Sequence, residues 1–354
     1  MGRLTGILKL AMAGVLSVGA NFSPLVAQPC RGVENELAAA ASALRRGDVS
    51  DAERVLSSVQ TSHPECAEAL LGLGQAKSAR KDHQAAYRLL VQYNELVPQD
   101  ARGYVSLAEL LLAMGKPGQA DALSAKGLSV DPNSVPALVL RGRILGMKGD
   151  WSQATDLLAQ ACKLAPTNPE PYFELGVLHD RRQESAKAAE QFEKVVKLSP
   201  QNPRAYDYLA LSLEPLGQYQ RAEWAYKEGL KVNQGPLFDS FLDYNYGRFL
   251  VKLNRLEEAA THLDRAVQLA PATRATYYER AKLKEKQGNF EQARLDAEKA
   301  LSLKDPGGVI LDLQVYYLLA RIYKQLGEEA LAATYARLAE TAKVPIKARM
   351  RGGR

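Results

Sequence analysis

The side chains with chemistry to offer in this 354-residue chain are four histidines, three cysteines and a series of tyrosines set at regular distances from bases. His63, His83, His179 and His262 fall in different repeats of the chain and at different positions within them, so they are not expected to converge. There is no His-Glu-x-x-His, no Gly-x-x-x-x-Gly-Lys, no Gly-x-Ser-x-Gly and no Cys-x-x-Cys. The expectation is a protein that is not an enzyme, with no cofactor and no metal. The acidic pairs Glu257-Glu258 and Glu328-Glu329 follow turns and open helices, where they oppose the positive end of the helix dipole. What remains is a recurring trio: Tyr244, Arg248, Lys252; Tyr278, Lys282, Lys286; Tyr317, Arg321, Lys324. Residues three or four apart share one helix face, so each trio makes a ridge, with Phe241 just ahead of the first. Bases pair with carboxylates, and tyrosine packs on apolar side chains with little entropy to lose. Such ridges suit an extended acidic peptide.

The elements that carry these ridges are helical hairpins. In residues 101–133, Tyr104, Leu107, Ala108 and Leu111 fall on one helical face, and Gly115 to Gly118 form a turn. Ala120, Leu123, Gly127 and Leu128 mark a second helix, which Asp131-Pro132 ends. Closing prolines recur every 34 residues at Pro64, Pro98, Pro132, Pro166 and Pro200. Pairs of Leu with Gly or Ala mark the first helices, as in Leu73-Gly74, Leu107-Ala108, Leu175-Gly176, Leu209-Ala210 and Leu319-Ala320. An alanine stands in register in every second helix: Ala52, Ala86, Ala120, Ala154, Ala188, Ala222, Ala259, Ala293 and Ala332. A period of this length means a repeat architecture in which each unit buries its apolar face on its neighbours. The repeats are expected at 33–66, 67–100, 101–134, 135–168, 169–202, 203–236, 240–273, 274–307 and 313–346, with short insertions at 237–239 and 308–312.

This pattern resembles the tetratricopeptide repeat family over roughly residues 33–346. The resemblance implies an all-α, right-handed α-solenoid of about nine helix-turn-helix repeats. It implies that the first helix of each repeat, helix A, lines a concave groove with its second, fifth, ninth, twelfth and thirteenth positions. Those columns hold Leu71, Val105 and Val139 early, Phe173, Val177, Arg181, Arg204 and Asp207 in the middle, and the three Tyr-base ridges late. The partner-binding groove is therefore placed at Phe241, Tyr244, Arg248, Lys252, Tyr278, Lys282, Lys286, Tyr317, Arg321 and Lys324. Arg248 and Lys282 are expected to be exposed, so that reversing their charge would leave stability unchanged. Tyr104, Tyr172, Tyr206, Tyr277 and Tyr316 occupy the family's packing column and are expected in the core, with Trp151 and Trp224 packed between repeats. The groove departs from the family's carboxylate clamp, which needs a Lys at the fifth position and an Asn at the ninth, so chaperone-tail binding is not implied. In the family geometry Cys30 and Cys66 sit near the starts of adjacent A helices, which makes them a disulfide candidate; two unpaired thiols are the alternative. Cys162, among Ala159, Ala161 and Leu164, is expected to be a small core residue.

A formal charge of +6 and a pI near 9.0 are too mild to indicate nucleic acid. Residues 1–27 have a basic start, a short apolar middle and small residues after it, the pattern of a signal peptide for export to the periplasm or beyond. Residues 28–32 form a lead-in. The apolar run is too short for a bilayer, and no membrane span is expected in the mature chain. The last helix carries alanines on its faces, leaving either a blunt end or a surface for self-association. The basic tail 347–354 is expected to be disordered. The expected function is a non-catalytic scaffold or adaptor in the cell envelope that grips an extended or acidic segment of a protein partner, with no nucleic acid bound. The alternative is a carbohydrate-binding accessory subunit of polysaccharide export or modification.

Overall fold

The computed structural model describes residues 30–234, 239, 241–305 and 310–351, with backbone alone from 344 onward. The proposed signal peptide lies outside the described residues. Those residues form helices and connections only, an all-α repeat solenoid, in two compact units divided between Pro132 and Asn133. The first holds α1 (Glu34–Arg46), α2 (Val49–Ser62), α3 (Ala67–Ala79), α4 (His83–Leu96), α5 (Ala101–Ala113) and α6 (Pro117–Val130). The second holds α7 (Val135–Lys148), α8 (Trp151–Leu164), α9 (Pro169–Arg181), α10 (Ser185–Leu198), α11 (Pro203–Leu213), α12 (Tyr219–Val232), α13 (Leu242–Lys252), α14 (Leu256–Leu269), α15 (Arg274–Lys286), α16 (Phe290–Ser302), α17 (Asp312–Gln325) and α18 (Glu329–Arg351).

Each odd-numbered helix pairs with the even-numbered helix that follows. The pairing is close because small residues face one another. The alanines from Ala52 to Ala293 in the column above are all fully buried, and Ala332 nearly so. On the facing helix a Cβ at Gly176 would lie 2.8 Å from the ring of Phe192, so only glycine lets α9 and α10 approach this far.

The turn between paired helices has one recurrent geometry. Gly47, Gly115, Gly149, Gly217, Gly288 and Gly327 have φ between 70° and 90°, and the equivalent Lys81, Gln183 and Asn254 have φ of 62°, 59° and 61°. Between hairpins, Asp100, Asn168 and Asn202 accept hydrogen bonds from the backbone N–H groups of Arg102, Glu170 and Arg204, capping α5, α9 and α11.

The core is distributed along the stack. Near its start, Val33, Ala40, Ala43, Leu56, Val59, Cys66 and Leu73 pack together. There the Cys30 and Cys66 sulfurs are 2.09 Å apart, joining the lead-in to the residue that precedes α3. In the second unit the core is aromatic: Phe192 lies 5.2 Å from Tyr208, and Tyr226 stacks on Tyr246 at 5.3 Å. Cys162 is buried and unbridged, and burial pushes its thiol up to about 11.

Several expected positions differ. Only Tyr206 of the five tyrosines in the packing column is buried; Tyr104, Tyr172, Tyr277 and Tyr316 are half-buried. Trp151 and Trp224 are 36% and 50% exposed rather than packed between repeats, because both lie on outward faces of second helices. The backbone stays helical through residues 347–351, where disorder was expected. Lys, Ala and Arg in that stretch are good helix formers.

Candidate functional site

In the second unit the inner faces of α9, α11, α13, α15 and α17 carry the side chains expected to line the groove, and successive odd-numbered helices touch through them. Lys286 on α15 donates to the Val251 carbonyl of α13 at 3.4 Å. Arg321 on α17 reaches Glu285 of α15 with two bonds of 2.8 Å. Tyr244 is half-buried and packs against the cores on both of its sides. Burial raises its phenol to about 12, so it stays neutral and able to donate a hydrogen bond. The three ridges thus lie on consecutive helices and are neighbours.

Their charges, however, are largely matched by acids of the same chain. Arg248 donates to Glu214 at 2.9 Å, and Lys252 stands 3.7 Å from the same carboxylate. Lys282 donates to the buried Glu279 at 2.7 Å and lies over the Tyr278 ring. The Tyr317 hydroxyl donates to Glu340 at 2.7 Å. The expectation that Arg248 and Lys282 are freely exposed is therefore corrected: both are half-buried and hold buried carboxylates. Phe241 is half exposed and Lys286 and Lys324 are exposed, and neither lysine is ion-paired among the described residues.

The acids were legible only by reading two repeats at once. Glu214 and Glu285 stand at the twelfth position of their repeats and meet arginines at the ninth of the next. A column scan confined to bases sees the arginines and misses what holds them.

Beneath this surface, between α11 and α13, lies a buried polar layer. Asp207, expected in the groove, is 3% exposed. Both its carboxylate oxygens accept from the Asn245 amide at 3.0 and 2.8 Å. Burial, with repulsion from Asp239 behind it, pushes the Asp207 carboxyl up to about 8. Glu214 accepts from the Tyr226 hydroxyl at 2.7 Å as well as from Arg248. Asn233 exchanges two hydrogen bonds with the backbone of Asp239, fastening that residue ahead of α13. Leu71, Val105 and Val139, also expected in the groove, are buried, because the fifth position turns into the interface where the residue is aliphatic.

Histidines do not converge. His179 Nδ1 lies 2.7 Å from Glu184, and His262 Nδ1 lies 2.8 Å from the fully buried Asp243. Each is a local pair that ties a helix to its neighbour or to its turn. Cys30, Cys66 and Glu68 form a cluster with metal-ligating atoms, but sulfurs at bonding distance have no thiolates to offer. The site has the means to bind a polypeptide by charge and ring contacts.

The tetratricopeptide repeat model matches residues 37–101, 139–203, 173–236 and 209–273, and a second model of the same repeat matches 275–305 and 313–343. A DnaJ homolog subfamily C member 7 homolog of Dictyostelium discoideum is 31% identical over 135 residues, 34% of this chain, and the match spans only 25% of that protein. Among solved structures, the Cut9-Hcn1 hetero-tetramer of the APC/C matches with a TM-score of 0.67 and 17% identity, over 82% of this chain and 57% of the other. The human IFIT1 dimer matches with 0.61 and 18%, over 87% and 71%. The pilF protein of Pseudomonas aeruginosa matches with 0.52 and 21%, over 63% and 97%. These structures share the fold; the matched repeat is one that serves in protein–protein interaction scaffolds, and no catalytic family is indicated. With its repeats matched over most of its length, the chain belongs to the tetratricopeptide repeat family.

Proposed function

We propose that the chain is an exported, non-catalytic adaptor of the cell envelope that grips an extended or acidic segment of a protein partner on the inner faces of α13, α15 and α17. The observation that carries this reading is the contiguity of three aromatic-basic ridges on successive odd-numbered helices, with Lys286 and Lys324 exposed on two of them. Incoming carboxylates meet these lysines first and then compete with Glu214, Glu279 and Glu285 for the bases those acids already hold. A site built this way favours a segment with several acids over a single charge. Export is supported by residues 1–27 and by the Cys30–Cys66 bridge, since disulfides persist in oxidising compartments.

The test is a pull-down from envelope extract with the chain and with its Lys286→Glu, Lys324→Glu variant, read by mass spectrometry. Both lysines are exposed, so the variant keeps its fold and its melting temperature. A partner captured by the parent and lost in the variant, with capture weakening steeply as salt rises, is the expected result. Capture of the same partners by both proteins moves the interface elsewhere, and recovery of glycan instead of protein supports the carbohydrate alternative.

A further inference from the structure

The arginines of the C-terminal ridges are paired within the chain, but two arginines further up the same row of helices form no ion pair. Arg181 at the end of α9 and Arg204 at the start of α11 are exposed, and neither forms an ion pair with any described residue. By contrast, the arginines of the later inner helices, Arg248, Arg280 and Arg321, are all matched by carboxylates. Between Arg181 and Arg204 lies a cavity of about 180 Å³. Its floor is Phe173 and Tyr208, ring centroids 5.3 Å apart and edge to face, braced from below by Phe192 at 5.6 and 5.2 Å. Val177 and Leu178 continue the floor, and Met147, 54% exposed, stands at the rim. The Arg204 guanidinium is poised 5.8 Å from the Phe173 ring centroid. A guanidinium over a ring is oriented without its donors being used, which leaves the fork free for a carboxylate.

The volume narrows the occupant. Small-molecule sites run to roughly 300–1,000 Å³, so this cavity accepts one side chain, not a cofactor or an oligosaccharide. Its floor is apolar and aromatic, and its rim carries Arg181 and Arg204 on one side and the Arg143–Glu174 pair on the other. We infer that the cavity between α7, α9 and α11 is a second recognition pocket, which receives an apolar side chain of a partner segment while Arg181 and Arg204 clasp an acidic residue next to it in the partner's chain. The Arg143–Glu174 contact of 3.5 Å closes the far wall and leaves the positive rim at the α9–α11 side. This inference rests on the adaptor reading and gives the partner segment a signature: an apolar residue, preferably Phe or Leu, directly beside Asp or Glu.

The experiment uses the chain with three fluorescein-labelled, N-acetylated and C-amidated peptides that differ only at a central pair set in Gly-Ser spacers: Phe-Glu, Phe-Gln and Ala-Glu. Anisotropy titrations at low salt are expected to rank Phe-Glu at least tenfold tighter than either of the others. Arg181→Gln with Arg204→Gln is expected to remove that preference and leave Phe-Gln binding unchanged; both side chains are exposed, and an unaltered circular dichroism spectrum checks the fold. Equal affinity for Phe-Glu and Phe-Gln overturns the inference, as does a preference that survives the double substitution. A free-acid Phe peptide that outcompetes the internal Phe-Glu pair also overturns it, because the pocket would then read chain ends. Phe-Glu binding lost in Lys286→Glu, Lys324→Glu but kept in the arginine variant sinks this pocket while sustaining the adaptor reading. Failure of every peptide together with a partnerless pull-down sinks both.

Discussion

Asp207 is a carboxyl placed where its charge is unwelcome, and its titration is measurable as stability. Its ordinary value of 3.8 is raised to about 8 in the folded chain, by burial first and by Asp239 second. Between those values the native state keeps a proton that the unfolded state has released, so stability falls as pH rises through the window and levels off above it. The slope is at most about 1.4 kcal/mol per pH unit from this group. Asp207→Asn removes the charge and keeps an oxygen for the Asn245 amide. Urea midpoints of parent and variant are expected to converge near pH 4 and to separate by pH 8 in favour of the variant; parallel curves would mean the carboxyl is ionised in the native state. Arg248 is the converse case. Arg248→Glu sets a second carboxylate against Glu214, which is 6% exposed, and is expected to lower stability by about 3–5 kcal/mol, the cost of breaking a buried pair. A melting curve identical to the parent's would show that the pair carries no such weight. Sequence reading found Arg248 and placed it on the right helix face. It missed the pairing because burial of an acid depends on the neighbouring repeat, which no single period displays.

At the scale of the element, the hairpin was the most legible feature. The alanine column follows from a contact made in every repeat, and the closing prolines recur at a fixed period over the first five, so the pattern accumulates evidence that one motif lacks. The turn residue is equally regular in conformation but not in type, and there the sequence carries less. Lys81, Gln183 and Asn254 adopt the left-handed backbone that glycine supplies elsewhere. An L-residue in that conformation costs roughly 1–2 kcal/mol, less for Asn. Gln183→Gly and Lys81→Gly are each expected to raise stability, by up to about 1 kcal/mol once the greater entropy of unfolded glycine is set against the relieved strain. Denaturant midpoints at unchanged slope check this, and a loss in both variants would assign the turn to side-chain contacts instead. Gly176→Ala tests the facing surfaces. A new methyl 2.8 Å from Phe192, itself fully buried, has no flexible neighbour to yield, and a loss of about 1–3 kcal/mol is expected. Had Gly176 been an ordinary helix-interior glycine, alanine there would stabilise.

For the whole molecule, the consequence of repetition is locality. Within each unit a hairpin's contacts are with itself and its sequence neighbours, so stability approximates a sum of local terms and not a single global quantity. The Cys30–Cys66 bridge makes this testable, because it spans 36 residues and acts only on α1, α2 and the start of α3. Chain-entropy reasoning assigns such a loop about 4 kcal/mol. Cys30→Ser is the variant to use: Cys30 is half-buried, whereas Cys66 is fully buried, and replacing Cys66 would add a packing defect to the loss of the bridge. Hydrogen exchange is expected to accelerate at amides of α1 and α2 in Cys30→Ser and in reduced parent alike, while amides around Phe192, Tyr226 and Phe249 keep their protection. In a cooperative globule the same 4 kcal/mol would appear at every core amide, because each would exchange through one global opening. Uniform acceleration across the chain would therefore contradict nearest-neighbour stabilisation. Confined acceleration would mean that one end of the array frays while the recognition helices α9 to α17 stay formed, so that partner binding survives reduction.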